Sequence, residues 1–300
     1  LKTVVSVSLG TSQRDKQQTV DLLGDTFSIE RRGTDGDMAK FAKTFTELDG
    51  KVDALGVGGA DIYLRLPGRV YAFRQIKNIV DAVHFTPVVD GGGLKHTLER
   101  ETIRQLQREG VIDFAKLKVL MVSAVDRFGM AQAMEEALAQ VTYGDLMFGL
   151  GIPIPMRKYK SVITFGKILL PIITQLPFKW FYPTGKQQEE RKPKYPAEFL
   201  RADVIAGDWH YIRRYMPDKL PGRTIITQTI RKADLDFLKS AEVKRVITTT
   251  PEMGGETFAT NVMEGVIVAH LGKKVADLTE QDYLDTLRKL GWKPNVIDLA

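Results

Sequence analysis

Lys118-Val-Leu-Met-Val-Ser-Ala-Val-Asp-Arg-Phe-Gly-Met-Ala-Gln-Ala-Met-Glu-Glu-Ala137 is the stretch whose reading decides the fold. Lys118 to Ser123 is an apolar run with the length of a buried strand, and Met130 to Gln140 is rich in alanine and other good helix formers. Only a short turn separates them. A strand that passes directly into a helix opens a β-α-β unit, because a parallel partner strand can be reached only by a crossover on the face of the sheet.

Outward from this unit the same rhythm continues. Strands are expected at Val141 to Leu146, Val204 to Ala206, Thr224 to Thr227 and Arg245 to Thr249, with helices at Asp234 to Ser240 and Phe258 to His270. Upstream, Val4 to Leu9, Thr26 to Glu30, Val52 to Val57 and Pro87 to Asp90 are short runs rich in β-branched residues, and Thr97 to Gln107 is a polar helix. The class is therefore α/β, with two domains and largely parallel sheets. The boundary falls near Ala115, giving a domain over residues 1–115 and a Rossmann-like domain over 116–300 with an arm inserted at 156–196.

Composition supports two cores. A chain of 300 residues with 43% hydrophobic content exceeds the usual size of a single domain. There is no cysteine, which removes disulfides, thiolate metal sites and thiol nucleophiles and fits a cytoplasmic setting. The net charge of +6 comes from 43 basic residues interspersed with 37 acidic ones, a mixed solvated surface; with no stacking motif beside it, no nucleic-acid partner is expected. No secretion signal opens the sequence.

The arm joins an apolar stretch, Val162 to Tyr182, to a charged run, Lys186 to Lys194. Lys167, Pro171, Pro177 and Lys179 interrupt the apolar part, so it is not a transmembrane helix. A helical hood on its own domain is expected, or a contact in a homodimer; an interfacial amphipathic arm is the alternative.

Candidate site residues cluster at strand ends, where open parallel sheets bind ligands. Gly10-Thr11-Ser12 with Arg14, the Gly56-Val57-Gly58-Gly59-Ala60-Asp61 turn, and Asp90 before Gly91-Gly92-Gly93 mark the first domain; Thr11, Ser12, Arg14 and Asp61 are read as substrate contacts. Asp90 and Lys95, a carboxylate and an ammonium near one helix start, could move a hydroxyl proton. In the second domain Ser123, Asp126, Arg127 and Gly129 occupy the turn where a dinucleotide fingerprint carries its glycines, although only Gly129 matches it. Asp145, twenty-two positions after Ser123, stands where an acidic residue would hydrogen-bond a ribose, favouring NAD over NADP; Asp145 as a turn cap is the equal alternative. Thr249 sits in the Thr248-Thr-Thr-Pro-Glu-Met-Gly-Gly-Glu-Thr257 turn, where hydroxyls and amides could hold an anion. His210 follows a strand directly and precedes Arg213, so a titrating base and a carboxylate contact could share one loop. No metal-binding motif is present.

Several segments carry a resemblance. Ala202-Asp-Val-Ile-Ala-Gly-Asp208 and Leu220-Pro-Gly-Arg-Thr-Ile-Ile-Thr227 resemble the cofactor domains of the shikimate and quinate dehydrogenase group. Ser8-Leu-Gly-Thr-Ser12, Val122-Ser-Ala-Val-Asp-Arg-Phe-Gly-Met-Ala131, Gly207-Asp-Trp-His-Tyr-Ile-Arg-Arg-Tyr-Met-Pro217 and Thr248-Thr-Thr-Pro-Glu252 are similar to bacterial proteins labelled quinate 5-dehydrogenase. The resemblance implies an NAD(P)-dependent oxidoreductase acting on a small, hydroxylated, anionic substrate such as quinate. The chain lacks the lysine motif of that group, and Gly33-Thr-Asp-Gly36 precedes Lys95, so its catalytic pair is not carried over. Two other readings stay open on the residues themselves: a two-domain protein binding a nucleotide-sugar or phosphorylated metabolite, and a ligand-binding regulatory protein.

Overall fold

In the computed structural model, which describes residues 1–180, 190–250, 252–253 and 256–299, the first half runs β1 (Lys2–Ser8), β2 (Lys16–Leu22), β3 (Asp25–Gly33), α1 (Met38–Leu48), β4 (Ala54–Gly58), β5 (Tyr63–Leu66), β6 (Arg69–Ala72), α2 (Arg74–Val80), β7 (Val88–Val89) and α3 (Gly92–Arg108). The second half runs β8 (Lys118–Met121), α4 (Phe128–Glu136), β9 (Gln140–Tyr143), α5 (Tyr159–Ile173), α6 (Pro196–Arg201), β10 (Val204–Ala206), α7 (Trp209–Tyr215), β11 (Thr224–Thr227), α8 (Lys232–Ser240), β12 (Arg245–Thr248), β13 (Glu252–Met253), β14 (Glu256–Thr257), α9 (Thr260–Leu271), α10 (Glu280–Lys289) and β15 (Asn295–Asp298).

These strands form two principal sheets, ordered β2-β3-β1-β4-β7 and β15-β12-β11-β10-β8-β9. The α/β class and the two largely parallel sheets expected from the sequence are present. β1 is buried from Val4 to Ser8 and pairs in parallel with β3 and β4, as continuous burial on both faces requires of an interior strand. Only the edges β2 and β15 run antiparallel within these sheets. β2 exposes alternate residues, and Lys16, Gln17, Thr19 and Asp21 keep its outer edge polar. That polarity hides the strand in the sequence, where the segment reads as a turn.

Helix α3 is the spine between the two sheets. Its N-terminal half contributes Leu94 and Leu98 to a core with Val4, Phe27 and Ala54, whereas Ile103 and Leu106 enter the core of the second sheet. Seventeen residues at 1.5 Å each make this helix roughly 25 Å long, enough to reach both. Helix α9 is buried at every position from Thr260 to Val268, the signature of a helix covered on all sides. It lies between α3 and the first sheet, packing Val262, Met263, Val266 and Ile267 against Val4, Phe27 and Ala54. The sequence division assigns residues 116–300 to one unit. In the fold, α9 and α10 pack with the first sheet, and β15 returns to pair with β12.

The arm forms a hood across both cores. Val162 of α5 joins the second core, and Leu170 and Phe178 join the first. Its residues 181–189 lie outside the described ones, as does part of the turn after Thr250.

Candidate functional site

Ligand geometry follows from the sheet directions. β1, β4 and β7 end at Ser8, Gly58 and Val89, and β10, β11 and β12 end at Ala206, Thr227 and Thr248. Residues just beyond these ends face one another across a cleft of about 770 Å³, within the range of small-molecule sites. Its walls combine Ser6, Ser8, Asp61 and Asp90 with Asp126, Arg127, Asp208, Trp209, His210 and Gln228.

A chain of charged side chains crosses the junction. Lys95 and Glu99 lie four apart on α3 and so share a face. Lys95 donates to Asp61 at 2.6 Å, and Glu99 accepts from the Arg127 guanidinium. Arg127 donates onward to Asp208 at 2.9 Å, and Gln228 donates to the same carboxylate oxygen at 2.7 Å. The other Asp208 oxygen accepts from the His210 amide at 2.8 Å, the N-cap interaction that starts α7. Asp126 accepts from Ser123 Oγ at 2.5 Å and lies 3.8 Å from Arg127. Four carboxylates thus share two cations in a largely buried site.

This imbalance sets the protonation. Burial drives the Asp61 carboxyl up, the charges of Asp90 and Asp126 add to it, and Lys95 holds it to about 6. Burial presses Lys95 toward losing its proton, but Asp61 overrides this and keeps the ammonium above its ordinary value, so the pair is ionised at neutral pH. Burial also raises Asp208, yet Arg127 wins and holds it at about 2. His210, half-buried in the wall, is shifted below its ordinary value by burial, with Asp208 opposing. It is therefore neutral at pH 7.

Among the described residues, four that line the cleft carry buried polar atoms without a hydrogen-bond partner: Gln18 Nε2, Arg127 Nε, Trp209 Nε1 and Thr248 Oγ1. Such atoms are uncommon in folded proteins because an unmet donor forfeits its hydration.

The remaining sequence-derived candidates divide by position. Arg14 lines the cleft, whereas Thr11 and Ser12 are outside its lining and hold the turn before it: Thr11 Oγ1 accepts from the Gln13 amide, and the Ser12 amide donates to Asp35. Asp90 borders the cleft, but its carboxylate accepts from the amides of Ile62, Tyr63 and Gly92, so it fixes backbone rather than standing free as a base. Asp145 lies away from the cleft, beside a smaller apolar pocket under α5. Its Oδ1 accepts from the amides of Ala124 and Val125 at 2.8 and 2.9 Å, as a turn cap. Gly129 admits α4 to close contact with α3, since a Cβ there would collide with the His96 carbonyl oxygen. Thr249 is buried behind the cleft, its carbonyl accepting from Trp292 Nε1. Arg213 faces Asp234 at 3.7 Å and stacks over Phe237.

Sequence reading missed Asp208, Glu99, Gln228 and Asn261, the last of which lines the cleft and donates to Ser6 Oγ at 2.7 Å. Asp208 carried a usable signal: an acidic residue after a strand-ending glycine and before an aromatic helix start is an N-cap at a strand's carboxyl end. Glu99 looked like one more solvated helix charge, and nothing local marks it as Arg127's buried partner.

Residues 93–299 match a family described as Domain of unknown function (DUF8754), and residues 3–90 match one described as Domain of unknown function (DUF8753). No curated protein matches the chain. Among solved structures, the chain is similar to a periplasmic ribose ABC transporter protein from Conexibacter woesei DSM 14684, at 12% identity and a TM-score of 0.38, covering 99% of this chain and 92% of that one. It is also similar to GanP, a glucose-galactose binding protein from Geobacillus stearothermophilus, at 11% identity and a TM-score of 0.38, covering 99% and 97%.

These findings correct the expected kinship with quinate and shikimate dehydrogenases: the families that match residues 3–90 and 93–299 are the two above, and neither is described as a dehydrogenase. The NAD(P)-dependent oxidoreductase inferred from that kinship is corrected with it. The physical reason lies in the turn after β8. A dinucleotide turn needs free amides and glycine clearance at the pyrophosphate, but here Asp145 occupies the Ala124 and Val125 amides and the Arg127 side chain is drawn into the buried ion chain.

Proposed function

The chain belongs to the family described as Domain of unknown function (DUF8754), and from the cleft it builds we propose that it is a binding protein for a small, polyhydroxylated metabolite carrying an anionic group. The observation that carries this reading is that orphaned buried donors, Trp209 Nε1 and Thr248 Oγ1 among them, stand in one wall with the carboxylates of Asp61, Asp126 and Asp208. Hydroxyl groups both donate and accept, so a polyol can satisfy the orphaned donors and the acidic floor together. The anionic end is matched by the basic rim, where Arg14, Lys16, Arg31, Arg231 and Lys232 line the same cleft. A sugar phosphate, a sugar acid and a nucleotide-sugar all have this chemistry.

The test is calorimetric titration and thermal shift against neutral monosaccharides, sugar acids, sugar phosphates, nucleotide-sugars and NAD. A polyhydroxylated anion should raise the melting temperature by binding only the folded state. Thr248→Val, which keeps the shape and removes the hydroxyl, should weaken that ligand by roughly two- to tenfold, the worth of one neutral hydrogen bond. Stabilisation by NAD alone, or unchanged affinity in Thr248→Val, overturns the reading.

A further inference from the structure

The outer face of the hood is built for a surface other than the protein's own. Helix α5 buries Val162, Gly166 and Leu170, and leaves Ile168 and Ile172 exposed away from that face, with Phe165 exposed at the edge between the two. Ile168 and Ile172 are 60% and 59% exposed, and they share one stripe with Phe165 at helical spacing. The stripe continues at both ends. Ile152 and Ile154 are exposed before the helix, and Trp180, at 71%, is exposed after it. A run of large apolar side chains this extensive is not needed to close the hood, whose inner face already fills both cores.

The charge within the segment that carries the stripe has one sign. From Leu146 to Trp180 the sequence contains no aspartate or glutamate, whereas Arg157, Lys158, Lys160, Lys167 and Lys179 fall within it. All five are exposed. Lys160 and Lys167, seven apart, flank the apolar stripe on one side of α5, in contrast to the interspersed charge of the rest of the chain. Apolar side chains with a terminal tryptophan, in a segment whose own charged residues are all cations, suit a partner that is apolar inside and anionic outside. No helix among the described residues is long and apolar enough to cross a membrane, so such a face lies on a bilayer rather than through it.

We propose that the α5 face, from Ile152 to Trp180, docks the protein on the surface of an anionic lipid bilayer, with Phe165, Ile168, Ile172 and Trp180 entering the headgroup region. A second copy of the chain would bring the same cations against each other, which argues for lipid over self-association. The proposal is independent of what the cleft binds.

The test is cosedimentation of the full chain with vesicles of phosphatidylcholine alone and of phosphatidylcholine with phosphatidylglycerol. Binding is expected to the mixed vesicles and to fall as salt rises, with a residue that persists because apolar insertion is not screened. Ile168→Ser with Ile172→Ser should weaken binding at least tenfold, since each buried isoleucine is worth about 1.5 kcal/mol or more. Lys160→Gln with Lys167→Gln should weaken it by roughly tenfold or more at low salt, at about 1 kcal/mol per cation near the surface. These four positions are exposed, so melting temperature and ligand titration should match the parent chain. Absence of binding to the mixed vesicles overturns the proposal. So does equal binding to phosphatidylcholine alone, or a dimer in sedimentation velocity that the isoleucine pair dissolves while vesicle binding is unchanged.

Discussion

Arg127 shows how much one side chain is asked to do. It is 3% exposed, and it compensates Glu99 on α3 and Asp208 at the start of α7. A buried ion pair adds little net stability when whole, because desolvation offsets the attraction, but breaking one strands its partners. Arg127→Met should therefore cost about 3–5 kcal/mol, read as a lowered urea midpoint. Pairing it with Glu99→Met should cost clearly less than the two single changes added together, because the partners are coupled. Additive losses would mean that the two side chains do not meet. Sequence alone could place Arg127 in the turn after the strand; it could not supply Glu99, twenty-eight residues upstream, or Asp208, eighty-one downstream.

Among the elements, the strands with continuous apolar runs were legible because an interior parallel strand must be apolar on both faces. β1, β4 and β8 are of that kind. Elements that escaped sequence reading are those whose character comes from their neighbours. β2 is polar because it is an edge, and the short hairpin of β5 and β6 has no period long enough to read. The strand expected through Leu146 stops at Tyr143 because Asp145 to Gly149 wind into one π-helical turn that brings the Asp145 carboxylate back to the Ala124 and Val125 amides. Of the site, the strand-end positions of Asp61, Lys95, Arg127 and His210 could be read, whereas their ion partners depend on tertiary approach.

Helix α9 carries a testable pH dependence at this same scale. Glu264 is buried in the helix and accepts from the Tyr283 hydroxyl at 2.7 Å, and burial, with the nearby Asp90 charge, raises its carboxyl to about 7. Gly93 on α3 is required beside it, since a Cβ would collide with Glu264 and Tyr283. A carboxyl raised in the folded state holds its proton where the unfolded chain has lost it. The stability this confers is complete below the unfolded value near 4.5 and is lost as pH rises toward about 7, at up to roughly 1.4 kcal/mol per pH unit. Glu264→Gln removes the titration, so the gap between the variant and the parent should move in the variant's favour between pH 5 and pH 8 when unfolding is followed in urea. A gap that stays constant across that range would sink the assignment.

At the scale of the molecule, the decisive feature is that sequence order and spatial order part company. The chain leaves the first sheet through α3, builds most of the second, returns with α9 and α10, and ends in β15 beside β12. Dividing it near Ala115 would therefore strip the first sheet of the helix that covers one face. Without α9, the side chains of Val4, Phe27, Ile29 and Ala54 lose Val262, Met263, Val266 and Ile267 as partners, and Gly56 loses the Asn261 amide that donates to Ser6 at 2.7 Å beneath it. Exposed apolar surface of that extent on a sheet promotes association rather than folding. A fragment of residues 1–115 should accordingly be insoluble or associated, and the intact chain should unfold in a single cooperative step, because each sheet depends on segments threaded through the other. Circular dichroism and sedimentation of the fragment, with calorimetry of the whole chain, check both halves of this expectation. A monomeric fragment with a sharp melt of its own would show that α9 is a cover the first sheet can do without, and the three crossings would then be a route of the chain and not a condition of its stability.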